Sequence, residues 1–68
     1  MRVLVNGEAR ELPAGTSVAS VVDSIPGTPD GRGLAVALDG AVVPRGRWRD
    51  VELSDGARVE IVVAVQGG

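Results

Sequence analysis

Cysteine, histidine, lysine, tyrosine and phenylalanine are all absent from this 68-residue chain, and tryptophan and methionine each occur once. Without cysteine and histidine there is no disulfide, thiol nucleophile, imidazole base or zinc site of the usual Cys/His kind. Carboxylates, a few hydroxyls and the chain termini are what remain to handle protons near neutral pH. That set is too narrow for a self-sufficient enzyme. Long apolar runs are missing as well. The longest, Leu34 to Leu38 and Ile61 to Val65, hold five residues each, against the ~20 that span a bilayer. The N-terminal stretch MRVLVNGEARE lacks an apolar block long enough for a signal peptide. These absences predict a soluble cytoplasmic protein with no membrane partner. Nine acidic residues against seven arginines, a net charge of -2, argue against a nucleic-acid partner.

What is present describes one small folded domain, residues 1–68, with 44% hydrophobic residues and room for a single core. Asn6-Gly7 between two short runs is a strong hairpin signal, because a type I′ turn needs positive φ at both central positions. A two-residue loop there pairs Val5 with Glu8, Leu4 with Ala9, Val3 with Arg10 and Arg2 with Glu11. Pro13-Ala14-Gly15 ends the second strand, and Thr16 is expected to cap the helix that follows. Val18, Val21, Val22 and Ile25 fall at i, i+3, i+4 and i+7, the single apolar stripe of a short helix that Pro26 stops. So brief a valine-rich helix persists only when packed on a sheet.

The segment PGTPDGRG, from Pro26 to Gly33, reads as a loop. Leu34 to Leu38 alternates as a strand closed by Asp39-Gly40, Ala41 to Val43 makes a brief further strand, and Pro44 ends it. Arg45-Gly46-Arg47-Trp48-Arg49 is the one basic cluster, read as a solvated turn, with Trp48 as a core plug. Val51 to Leu53 is expected as another short strand before the turn Ser54-Asp55-Gly56. Val59 to Val65 is the most apolar strand, with apolar residues on both faces, and belongs in the centre of the sheet.

The chain stops at Gln66-Gly67-Gly68. With glycine at 10 of 68 residues, two terminal glycines arise from composition alone about 2% of the time. A central strand leading into a flexible Gly-Gly tail presents an unhindered carboxylate on a thin arm that can thread a narrow channel. An ionised carboxylate is a poor electrophile, and activating it requires a mixed anhydride such as an acyl-adenylate. The chain has no phosphate loop and no lysine, so ATP chemistry would belong to a partner. Gly68 is then the reactive end and Gly67 the residue giving access, in a protein that is a substrate or carrier.

These features together resemble the sulfur carrier proteins of thiamin biosynthesis, the ThiS family of ubiquitin-like β-grasp proteins. The resemblance runs end to end. It is carried by the VLVNGE hairpin, Gly15-Thr16-Ser17-Val18 at the helix start, Leu34-Ala35-Val36-Ala37-Leu38, and Val42-Val43-Pro44-Arg45 with Trp48 three residues later. Asp55-Gly56-Ala57-Arg58-Val59-Glu60-Ile61 and the terminal Gly67-Gly68 complete it. It implies an α+β fold, a mixed four- to five-stranded sheet with one helix packed on one face. It also implies a protein that is not an enzyme. An E1-like adenylyltransferase, using ATP and Mg²⁺, would adenylate the Gly68 carboxylate, a sulfur-donating enzyme would help convert it to a thiocarboxylate, and thiazole synthase would take the sulfur. The carrier itself would bind no cofactor or metal.

Two other readings stand beside this one. The small subunit of molybdopterin synthase is also a β-grasp carrier ending in Gly-Gly, but that group is longer and richer in phenylalanine near its tail. A non-covalent β-grasp binding module would make the tail incidental. Strand alternation adds one expectation about partners. If Ile61 and Val63 face the helix, Val62 and Ala64 face outward beside small residues such as Ala35 or Ala37, a surface suited to transient docking.

Overall fold

The computed structural model describes residues 1–25 and 33–63. The chain folds as β1 (Arg2–Val5), β2 (Glu8–Glu11), α1 (Val18–Asp23), β3 (Leu34–Leu38), β4 (Ala41–Val43), a 3-10 turn (Arg45–Arg47) and β5 (Arg58–Val63). One mixed sheet takes the order β2-β1-β5-β3-β4, with β1 and β5 parallel and the other pairs antiparallel. This is the ubiquitin-like β-grasp arrangement, and β5 occupies the central position that its apolar sequence predicts.

Local backbone chemistry sets both hairpins. Asn6 and Gly7 have φ of 50° and 83°, and Asp39 and Gly40 have 50° and 87°, the paired positive angles of a type I′ turn. The β1–β2 register is the expected one, Arg2 opposite Glu11 through Val5 opposite Glu8. Arg2 Nε meets Glu11 Oε1 at 3.2 Å. Both side chains are exposed, so this contact adds at most a few tenths of a kcal/mol. Met1 extends the ladder by one pair, its amine donating to the Leu12 carbonyl at 2.8 Å and its carbonyl accepting from Leu12 N–H at 2.9 Å.

The helix begins one residue later than the sequence suggests. Ser17, with φ -90° and ψ 165°, is the N-cap, and its hydroxyl accepts from Ser20 N–H at 3.1 Å. Thr16 instead spends its hydroxyl on the Pro13 carbonyl at 2.7 Å, inside the turn that Pro13 opens. The two remaining N–H groups of the first turn find distant acceptors: Val18 donates to Val51 O at 2.9 Å and Ala19 to Trp48 O at 3.0 Å. Free helix N–H groups need such acceptors when they lie against the protein.

That demand explains a second departure. Val51 to Leu53 is not a strand but forms one isolated bridge, Ser17 with Glu52, because its backbone is engaged with the helix start rather than with the sheet. At the other end α1 stops at Asp23, with Ser24 as C-cap. Ile25, expected as the last member of the apolar stripe, lies beyond the helix and is half-buried. The residue before a proline is pushed out of the helical region, which is consistent with a stop short of Pro26.

The core fills the space between α1 and the inner face of the sheet. Val3, Val5, Val36, Val43 and Val59 come from the strands, Val18, Val21 and Val22 from the helix, and Trp48, Leu53 and Ala57 from the connecting segments. Trp48 is 6% exposed and is the plug its lone aromatic character predicts. Its indole Nε1 donates to the Val43 carbonyl at 2.9 Å, so its one polar atom is satisfied. Arg45, Arg47 and Arg49 are exposed, as a solvated turn requires, and the Arg45 guanidinium sits 5.9 Å from the Trp48 ring centroid.

Candidate functional site

Strand register assembles the sheet face opposite the helix. Ala35 lies opposite Val62, Ala37 opposite both Glu60 and Val42, and Leu4 opposite both Ala9 and Arg58. Side chains on directly paired residues share a face. The outer face therefore carries an apolar half on β3, β4 and the end of β5, made by Ala35, Ala37, Val42 and Val62. Arg58 and Glu60, along β5, separate it from Leu4 and Ala9. A hollow on this face is lined in part by Leu4, Arg58 and Glu60, with Gly7 and Gly40 from the two turns.

Of the residues singled out from the sequence, Val62 is described and stands where alternation puts it, 61% exposed beside Ala35. Ala64, Gly67 and Gly68 lie outside the described residues. Two further exposed valines were not singled out. Val42 is 76% exposed and its outward aim follows from the inward aim of Val43, so alternation within Ala41–Val43 was a usable signal. Val63 is 62% exposed although it shares the face of Val59 and Ile61.

Val63 lies past the residues that pack into the core. Burial falls along the inner positions of β5, from Val59 at 1%, through half-buried Ile61, to Val63. Valine exposed on both faces thus marks the last described residues of β5, where the chain leads on toward Gly67 and Gly68.

The site is assembled from apolar contact surface and backbone, with one cation and one anion at its centre. Among the described residues there is no group of three or more Asp, Glu, His or Cys that could hold a metal ion, and no helix is long and apolar enough to cross a membrane.

A mixed five-stranded sheet in the order β2-β1-β5-β3-β4, with α1 packed on one face, defines a ubiquitin-like β-grasp domain. The chain belongs to the ThiS family, whose model matches residues 3–68. Among solved structures, it is similar over its whole length to the whole of a thiamine biosynthesis protein (ThiS) from Geobacter metallireducens, with a TM-score of 0.81 at 22% identity. The solution structure of a thiamine biosynthesis protein from the same organism gives a TM-score of 0.75 at 23% identity, over all of this chain and 88% of that one. At these identities the likeness speaks for the fold. Among curated proteins, a thiazole synthase from Paramagnetospirillum magneticum is 31% identical over all 68 residues. The chain spans 20% of the length of that relative.

Proposed function

We propose that this protein is a sulfur carrier of thiamin biosynthesis, a protein co-substrate rather than a catalyst. The observation that carries the reading is the ThiS family match, which runs from residue 3 through Gly68 and so includes the Gly67-Gly68 pair. The name of the thiazole synthase relative supports thiazole synthase as the acceptor of the sulfur.

The chemistry follows from the carboxylate. A partner E1-like adenylyltransferase, with ATP and Mg²⁺, joins the Gly68 carboxylate oxygen to the α-phosphorus of ATP and releases pyrophosphate. Hydrosulfide (HS⁻) delivered by a sulfur-donating enzyme then attacks the acyl carbon and expels AMP, leaving the thiocarboxylate. When the donor is an enzyme persulfide, the acyl disulfide formed first is cleaved by a thiol, which leaves as the mixed disulfide with the donor. Thiazole synthase takes up that sulfur. Gly67, having no Cβ, gives the tail the slimness to enter a narrow channel. The outer face at Val62 is the proposed docking surface for the partner enzymes, and Ala64 is the second residue proposed for docking.

The test is to incubate the protein with its activating enzyme, ATP and a sulfur donor, alkylate it mildly, and map the adduct by fragmentation. Intact mass alone does not suffice, because replacing oxygen by sulfur adds the same nominal mass as oxidising Met1. A thiocarboxylate is an anionic sulfur nucleophile and alkylates, whereas methionine sulfoxide does not. The expected adduct sits on Gly68, requires ATP, and disappears when Gly68 is deleted or followed by an extra residue. With a competent enzyme and donor, absence of an ATP-dependent adduct, or its location on Met1, overturns the reading. Thiazole formation with the cognate synthase then separates a thiamin carrier from one serving molybdopterin synthesis.

A further inference from the structure

Asn6 occupies the first central position of the β1–β2 turn at φ 50°. Asparagine tolerates that left-handed conformation better than most residues, which accounts for its presence in the turn. It does not account for where the side chain goes. The carboxamide reaches across to β5, where Ile61 N–H donates to Oδ1 at 2.8 Å and Nδ2 donates to the Ile61 carbonyl at 3.2 Å.

The backbone ladder between β1 and β5 ends just short of this point. Leu4 pairs with Arg58, Val5 with Val59, and Asn6 N–H donates to the Val59 carbonyl at 2.8 Å. The chain then turns away into β2. A carboxamide carries the same donor and acceptor as a peptide unit, so the Asn6 side chain stands in for the strand residue that is no longer there. Ile61 is held on both edges, by Asn6 on one side and by its place opposite Val36 of β3 on the other. Among the described residues, Val62 and Val63 have a strand partner on the β3 side alone, at Ala35 and Leu34.

We infer that Asn6 is a positioning residue for the C-terminal segment. Its carboxamide makes the last two-sided anchorage of β5, immediately before the exposed Val62. It thereby fixes the aim of Val62 and the origin of the segment that ends at Gly68. This inference rests on the carrier reading of Gly68. Losing the clamp leaves β5 tied on one edge beyond Val59, so the docking residue and the start of the tail must be ordered at the moment of binding. Ordering on binding weakens association, and KM for the carrier is the quantity that rises.

Two variants separate this role from a general effect on stability. Asn6→Gly keeps the turn, because glycine accepts positive φ, and removes both side-chain bonds. Asn6→Asp keeps the acceptor but faces the Ile61 carbonyl with a second oxygen. Only when its carboxyl is protonated, below an ordinary aspartate pKa of about 4, does it regain a donor. Amide exchange measured by NMR on the folded variants should show Ile61 protection reduced about fivefold or more in Asn6→Gly, the ratio that corresponds to one exposed hydrogen bond. In Asn6→Asp, which keeps the acceptor for the Ile61 N–H, protection should fall less than in Asn6→Gly.

In adenylation assays, at a temperature where the variant's spectrum is that of a folded protein, Asn6→Gly should raise KM about three- to tenfold with kcat near that of the unaltered chain. Unchanged Ile61 exchange in Asn6→Gly overturns the clamp. Reduced protection with unchanged KM, beside normal adenylation of the unaltered chain, overturns the positioning role alone. Failure of the unaltered chain to be adenylated overturns the carrier reading and the positioning role with it, while the exchange data still judge the clamp.

Discussion

The indole Nε1 of Trp48 donates to the carbonyl oxygen of Val43 at 2.9 Å, joining the last residue of β4 to the far side of the arginine-rich turn. The same tryptophan offers its own carbonyl to Ala19 N–H at the start of α1. One residue thus plugs the core by its ring, satisfies a strand carbonyl and holds the helix by its backbone.

Replacing Trp48 should separate these contributions. Trp48→Ala is expected to cost about 3–5 kcal/mol, the range for deleting a buried aromatic ring. A domain this small has only about that much stability to lose, so the variant should be largely unfolded. Trp48→Phe keeps much of the ring, loses the indole donor, and should cost about 1–3 kcal/mol. Urea titration followed by circular dichroism measures both, since the sole fluorescent tryptophan is gone. Equal stabilities for the two variants would contradict the account.

The reassigned helix cap makes a second comparison. Ser17→Ala removes the hydroxyl that accepts from Ser20 N–H, and should lower stability by about 1 kcal/mol. Thr16→Val removes a bond inside the preceding turn and should cost less. Thermal melts of the two variants give the order. A larger loss at Thr16 would return the cap to that residue.

Gly7 isolates backbone strain from crowding. A Cβ built at this position meets nothing within 4 Å, yet φ is 83°. Gly7→Ala is therefore expected to destabilise by about 1 kcal/mol through conformation alone. Denaturant midpoints should show the loss while heteronuclear spectra keep the core pattern. A stability equal to the unaltered chain would mean that the turn relaxes to another type.

Val62→Asp tests the proposed docking face. The side chain is 61% exposed and opposite Ala35, so the fold should survive, with a change in stability of about 0.5 kcal/mol or less. The kcat/KM for adenylation should fall about tenfold, the size expected when a charge enters an apolar contact surface. Normal activation kinetics in a folded variant would remove Val62 from the docking surface.

Much of the architecture was legible because its determinants are local. Asn6-Gly7 and Asp39-Gly40 select type I′ turns through the φ angles each residue can adopt, and a two-residue turn then dictates the pairing of Arg2–Val5 with Glu8–Glu11. The apolar run of β5 implied a central strand, and period-two alternation placed Val62 on the outer face. The family resemblance, carried by blocks along the whole chain, agrees with the match over residues 3–68.

Tertiary structure decided what depends on which distant groups meet. Thr16 and Ser17 both carry capping hydroxyls, and only the turn at Pro13 assigns one inward to that turn and the other to the helix. Val51 to Leu53 has the composition of a strand, but its backbone meets the helix start, 35 residues earlier at Ser17–Glu52. Val63 follows the alternation of Val59 and Ile61 and is nonetheless exposed, because it lies past the residues that pack into the core. The bond from Asn6 to Ile61 joins residues 55 positions apart. Turn angles and alternation act between chain neighbours, so the sequence by itself determines them. Hydrogen-bond partners and burial arise only once helix and sheet have packed, because only then do remote donors, acceptors and apolar faces share the same few ångströms.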